Sequence, residues 1–429
     1  MPDKSSQGTN STQGSNAGDG APIGAGDRQL LRDLAKRVAD VAALPIQAER
    51  VRLWQALNQR RPERAMVLAQ TGNTLREADL QCEDPTCRGW EAALQAKLRR
   101  HELIHDDYPC TDHLDIGYVI DVGDYGVKEG RIYGEIEDFG AYKVDPVINS
   151  PEDFAKLRPR QISVDHETTN TRLERAAEIL GDILQVRKRG ETLCRNMLTR
   201  KLIHLRGYEQ FYLDMYDNPE FLRQMMAFLR DETLREWEIY EDEGVFTANM
   251  GPDNIRGTGG LSYADPLAPP DSAGSVRMQD MICFGESQES IGVSPELFHE
   301  FVLQFQLPLM NRFAAVDYGC CEPMDGRYEL LFENIPRLSS VSVHPWGDRE
   351  EAAEKLADKC VFAYKPHPSP VELPEPDFDG AERELRQTLE IAKGCCVSVT
   401  MKADFVRADS VDRATRWCDM AQRVVAEAA

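Results

Sequence analysis

From Val245 to the carboxyl terminus, short apolar runs take turns with amphipathic helical stretches, and this rhythm limits the fold more than any other feature of the chain. VFTANMG, MICFGESQE, the run that ends in VDYGCCEP, SSVSVHP, CVFAYKPHP and CCVSVTM each read as a strand. SPELFHEFVLQFQLPLM, a stretch near Arg327 to Ile335, DREEAAEKLADK, AERELRQTLEIAKG and SVDRATRWCDMAQRVVAEA fall between or after them with helical spacing. Strands joined by one helix each must run parallel. A run this long predicts an α/β fold, a (β/α)8 TIM-type barrel.

The upstream text fits around that barrel. Residues 1–27 offer almost nothing to bury and predict a disordered tail. Residues 28–60 predict an N-terminal helical cap of two helices divided at Pro45. The barrel is expected over 61–429, with Ala65 to Gly72 as its first strand and an irregular insert near 116–147, where short apolar pieces are broken by Gly and Asp. One helix is expected through TRLERAAEILGDILQVRKRG to Gly190, and the longest from Asn218 to Gly244, opened by Asn218 and Pro219.

A formal net charge of −23 without a basic cluster excludes the nucleic-acid backbone and an anionic membrane as partners. The 11 cysteines are odd in number and scattered, which predicts reduced thiols. Cys82 and Cys87 are spaced more loosely than the usual zinc pair and read as structural. With no signal-like apolar stretch at the start, a cytoplasmic protein acting on small molecules, and possible as a homo-oligomer, is expected.

A barrel builds its site at the carboxyl ends of its strands. The exits here carry Asn249 and Asp253, Glu286 to Glu289, Cys320 to Asp325, His344 with Trp346, Lys365 with His367, and Lys402 with Asp404. If the strand runs on through VDYGCCEP, Tyr318, Cys320 and Glu322 share one face and Cys321 points to the other. Cys320 and Cys321 suit small buried core positions equally well. Two chemistries are open. Cys320 and Glu322, with His344 or His367, could bind zinc; or Lys365, Lys402 and the histidines could bind an anion while Glu322 or Asp253 moves protons. No Walker loop, GxGxxG, HExxH or GxSxG is present.

Four stretches carry a resemblance: Leu205 to Met226 (LRGYEQFYLDMYDNPEFLRQMM), Gly292 to Met310 (GVSPELFHEFVLQFQLPLM), DYGCCEP, and IPRLSSVSVHPWGDREEAAEKLADKCVFAYKPHPSPV. From about Arg61 onward the chain resembles the uroporphyrinogen decarboxylase superfamily, and its cobamide-dependent methyltransferase branch more than the decarboxylase. RPERAMVLAQTGN stands where the decarboxylase has its Trp-Met-Arg-Gln-Ala motif, and lacks it. The methyltransferases hold zinc with a His-x-Cys pair and a distal Cys. Tyr318-Gly319-Cys320 matches the pair with Tyr for His, and Gly394-Cys395 resembles the distal site.

The resemblance therefore implies a methyltransferase that moves a methyl group between a small substrate and a corrinoid carried on a separate protein, the cobalamin-module signature being absent from this chain. It implies Cys320, Cys395 and, in place of the histidine, Glu322 as zinc ligands, unless no metal is bound. Glu322 and Tyr318 would be catalytic, and Asn249, Asp253, His344, Trp346, Lys365, His367 and Lys402 would bind substrate. A cofactor-independent decarboxylase and a non-catalytic ligand-binding barrel are the alternatives. The strand pattern puts Cys395 at the start of the last strand, the wrong end for a ligand.

Overall fold

The computed structural model describes residues 22–133, 142–251, 254–262, 275–335, 337–404 and 406–429. In chain order its strands are β1 (Met66–Thr71), β2 (His113–Gly117), β3 (Val119–Val122), β4 (Gly130–Tyr133), β5 (Tyr142–Asp145), β6 (Ile162–Asp165), β7 (Gln185–Arg189), β8 (Arg195–Asn196), β9 (Ile282–Gly285), β10 (Ala315–Tyr318), β11 (Leu338–Val343), β12 (Val361–Tyr364) and β13 (Cys396–Ala403). Seven form one parallel sheet in the order β1-β13-β12-β11-β10-β9-β8. Helices Pro295–Phe298, Gln304–Met310, Tyr328–Asn334, Arg349–Leu356, Phe378–Ile391 and Val411–Glu427 connect or follow its strands, as the alternation requires. The fold is mixed α/β, its parallel sheet and helices compatible with the expected TIM-type winding, and among the described residues no pairing joins β1 to β8.

The insert expected near 116–147 contains β3, β4 and β5 in small antiparallel pairs, β3 with β6 and β4 with β5. Two other expectations need correction. The helix expected to run to Gly190 ends at Leu180 with Gly181 as its cap, and QVRKR becomes β7, parallel to β2. VFTANMG forms a single parallel bridge, Phe246 to Glu191, in place of a strand. The first helix begins at Ala25, inside the stretch expected to be tail. Among the described residues no helix is long and apolar enough to cross a membrane.

Strand alternation sorts the sheet's two faces. Val316, Tyr318, Val341, Val343, Phe362, Tyr364, Val397 and Val399 join the large core beneath the outer helices. The other face looks inward and is filled from two directions. Helix Pro45–Asn58 presses Leu53, Trp54 and Leu57 onto Met66, Leu68, Val361, Ala363 and Cys396, which closes the amino-terminal end. Residues 254–262 fold as a tight hairpin, Ile255 bridged to Leu261, and occupy the centre.

The hairpin's glycines are a packing requirement. A Cβ on Gly257 would fall 2.2 Å from the Phe284 ring, and Gly259 and Gly260 take φ of +106° and +81°. Arg256 donates to Asp317 at 3.0 Å, both side chains being buried, and Ser339 adds a hydrogen bond at 2.6 Å. Thr258 meets the Ser340 hydroxyl at 2.9 Å, and Gly260 N–H donates to Thr400 at the same distance. A charge buried at the centre persists only when paired in this way.

Candidate active site

The inward positions that lie past the hairpin, at the carboxyl ends of the strands, carry the candidate chemistry. Arg195 of β8 sits opposite Phe284. Two residues beyond Phe284 the same alternation reaches Glu286, and on neighbouring strands it reaches His344, Lys365 and Lys402.

Between them the chain breaks the pattern. β10 ends at Tyr318, where Gly319 N–H donates to Gly285 O at 2.9 Å and then takes φ of +92°. A Cβ disfavours that conformation, so glycine marks the exit. The shared face expected for Tyr318, Cys320 and Glu322 is lost here. Tyr318 points into the helix layer, where its hydroxyl donates to Gln306 Oε1 at 2.7 Å and its ring meets Phe298 edge-on. Burial drives the phenol pKa up. Glu322 is fully buried, and its carboxylate accepts the Ser287 and Cys320 N–H groups, both at 2.8 Å. Burial raises its pKa against those two donors. The structure thus places Tyr318 in the wall, and Glu322 as the staple that fixes the Cys320 turn against the β9 exit.

On this turn Cys320 is half-buried, Cys321 is exposed, and their sulfurs lie 3.6 Å apart. The Cys321 thiol's hydrogen bond, reinforced by the charges of Lys365, Lys402 and Arg195, holds the Cys320 thiol well below its ordinary value although burial opposes it. The Cys321 thiol is raised for the reciprocal reason. Lys365 is buried and donates from Nζ to the carbonyls of Cys320 and Gly257. Burial lowers its pKa while the Cys320 charge supports the ammonium.

Glu286 complements the thiolate. Its Oε2 accepts Gln288 N–H at 3.1 Å, whereas Oε1 is buried without a hydrogen-bond partner. Burial first, then the charges of Glu289 and Glu322, push its pKa well above the carboxylate range, which favours the protonated acid. At the β11 exit Trp346 is 65% exposed, with its ring centroid 4.2 Å from that of His344 and 4.8 Å from that of His367. Burial, then Lys365 and His367, lower the His344 pKa to about 4, so its imidazole is neutral.

Other expected members do not join this group. Asn249 spends its side chain on Thr192 O, Ile282 O and Ile282 N, at 2.7 to 2.9 Å, as a stitch from the VFTANMG segment to β9. Asp253 lies outside the described residues. Cys395 precedes β13, at the other end of the sheet from Cys320, and its thiol faces Ala353 O in an outer helix at 3.6 Å. With Glu322 engaged by two amides, the set Cys320, Glu322 and Cys395 does not converge. Among the described residues no three His, Cys, Asp or Glu side chains are grouped to hold a metal ion. A zinc ion held by that set does not fit. Arg195 was unforeseen, because β8 is too short to show a strand pattern.

No protein-family model matches the chain, and no curated protein matches it in sequence. Among solved structures, a methyltransferase from Methanosarcina mazei is similar with a TM-score of 0.41 and 12% identity, over 86% of this chain and 97% of that one. Nothing about the reaction follows from a likeness at that distance.

Proposed function

We propose that the chain is a methyltransferase that moves a methyl group between a small anionic substrate and a corrinoid carried on a separate protein. The observation that carries this reading is the placement, at two adjacent strand exits, of the half-buried Cys320 thiol and the buried Glu286 carboxyl, whose Oε1 has no hydrogen-bond partner, with the charges of Lys365, Lys402 and Arg195 lowering the thiol's pKa and burial raising that of the carboxyl. The sequence resemblance supports the class of reaction. Corrinoid would supply the partner centre to which the methyl group passes, and this chain's residues would prepare the substrate.

Lys402 and Arg195, at the rim, would bind the anionic group. In the demethylating direction the bond from the substrate heteroatom to methyl breaks with its electron pair left on the heteroatom. Glu286 gives that atom its proton, and the three cations offset the charge as it develops. In the reverse direction it is the ionised form of Glu286, more populated as pH rises, that takes the acceptor's proton. Burial lowers the Lys365 pKa, and the negative charge of Cys320 would oppose that shift within the buried wall.

Free methylcobalamin, with a panel of small anionic thiols, amines and hydroxy acids as acceptors, provides the test, followed by the change in cobalamin absorbance. Wild type should exceed the uncatalysed rate with at least one acceptor, and Glu286→Gln should lose roughly 100-fold of that gain. A wild type that accelerates none of them overturns the reading.

A further inference from the structure

The chain holds two pairs of adjacent cysteines, and the fold treats them oppositely. Cys395 and Cys396 run into β13, so successive side chains leave by opposite faces. Cys395 meets the outer helix at Ala353, and Cys396 packs in the inner cluster with Trp54. Cys320 and Cys321 follow the left-handed Gly319, and the turn places their sulfurs 3.6 Å apart at the open rim. Eight of the 11 cysteines are buried, and the three with exposure are Cys320, Cys321 and Cys395. The chain therefore presents one accessible dithiol.

We propose that Cys320 and Cys321 form a chelating site for trivalent arsenicals, bound covalently through both sulfurs. The geometry selects the ligand class. A linear two-coordinate cation would hold its sulfurs apart by twice the metal–sulfur distance, roughly 4.6 Å at about 2.3 Å per bond. A zinc ion wants three or four protein ligands, and among the described residues no third His, Cys, Asp or Glu is grouped with this pair to hold one. A pyramidal arsenic(III) centre needs two thiols on the same side and brings its own third substituent.

The step balances without an oxidant. Two As–O bonds of an organoarsenous acid break as two As–S bonds form, the oxygens leave as water, and arsenic keeps its oxidation state. The thiolate at Cys320 attacks first, the oxygen it displaces taking a proton from solvent water, and the Cys321 thiol closes the ring, its proton going to the second departing oxygen. Lys365 holds the turn through the Cys320 carbonyl, and Glu322 holds it through the Cys320 N–H.

The test is intact-mass spectrometry of the full, folded chain after exposure to phenylarsine oxide. Wild type and Cys395→Ser should each take up one phenylarsenic group, released by ethanedithiol and retained in excess monothiol. Cys320→Ser and Cys321→Ser should each lose the adduct that survives monothiol and is released by dithiol, a drop of at least tenfold in occupancy, with circular dichroism confirming an unchanged fold. No adduct on wild type, or one that survives both serine variants, overturns the site. The readout is mass alone, so failure of methyl transfer leaves this outcome unaffected.

Discussion

The two ends of the parallel sheet use one alternation for opposite purposes. At the amino-terminal end the inward positions are Met66, Val361 and Cys396, sealed by Trp54 and Leu57 of the cap. At the carboxyl-terminal end the inward positions are Glu286, His344, Lys365 and Lys402, joined by the Cys320 turn. Both ends hold a partly exposed thiol, yet Cys395 has its pKa raised by burial while that of Cys320 is lowered by its neighbours. A residue's end of the sheet, more than its type, decides whether it packs or reacts.

The contrast breaks most visibly at Trp54. Trp54→Ala should destabilise the chain by about 3–5 kcal/mol in urea denaturation while leaving the alkylation rate of Cys320 unchanged in the folded state. A changed rate would mean the two ends are not independent. Glu322→Ala tests the other end: it strands the Ser287 and Cys320 N–H groups, which should cost about 1–3 kcal/mol and abolish the preferential reactivity of Cys320.

The contrast between the thiols is sharpened by pH. Alkylation by iodoacetamide, mapped by peptide mass, should stay nearly flat at Cys320 from pH 8 down to 6. At Cys395 it should fall about tenfold per unit, as for any thiol below its pKa. The smallest effect concerns Glu286. Its pKa is raised on folding, so the folded state keeps a proton that the unfolded state releases above about 4.3, and stability falls as pH rises from there. Glu286→Gln should therefore melt higher than wild type at pH 8 and converge with it near pH 4. Equal melting at pH 8 would mean that Glu286 is ionised in the folded chain.

Much of this organisation was legible as text. The alternation from β9 to β13 is long and strongly patterned, and His344, Lys365 and Lys402 stand where the rule for strand exits puts them. The failures have local causes. Gly319 ends β10 through a backbone conformation that periodicity does not encode, and so Cys320 and Glu322 leave the face that strict alternation would have them share with Tyr318. QVRKR reads as the tail of a helix because its only strand signal is pairing with β2, a partner 72 residues away in sequence (Gln185 against His113). Asn249 looks like a ligand because a side-chain amide substituting for ladder hydrogen bonds leaves no mark on its neighbours. The central hairpin is visible only as a glycine-rich stretch, since what its glycines avoid, the Phe284 ring and Thr400, comes from strands far along the chain.

Lys365 divides one ammonium between Gly257 O in that hairpin and Cys320 O at the rim. The middle of the molecule is thereby tethered to the reactive turn by a single side chain, and loosening one slackens the other. On gradual heating the hairpin, anchored mostly by side-chain contacts, would work free before the sheet does. The thiol would then lose its special reactivity while circular dichroism still reports an intact fold, so that function melts ahead of structure.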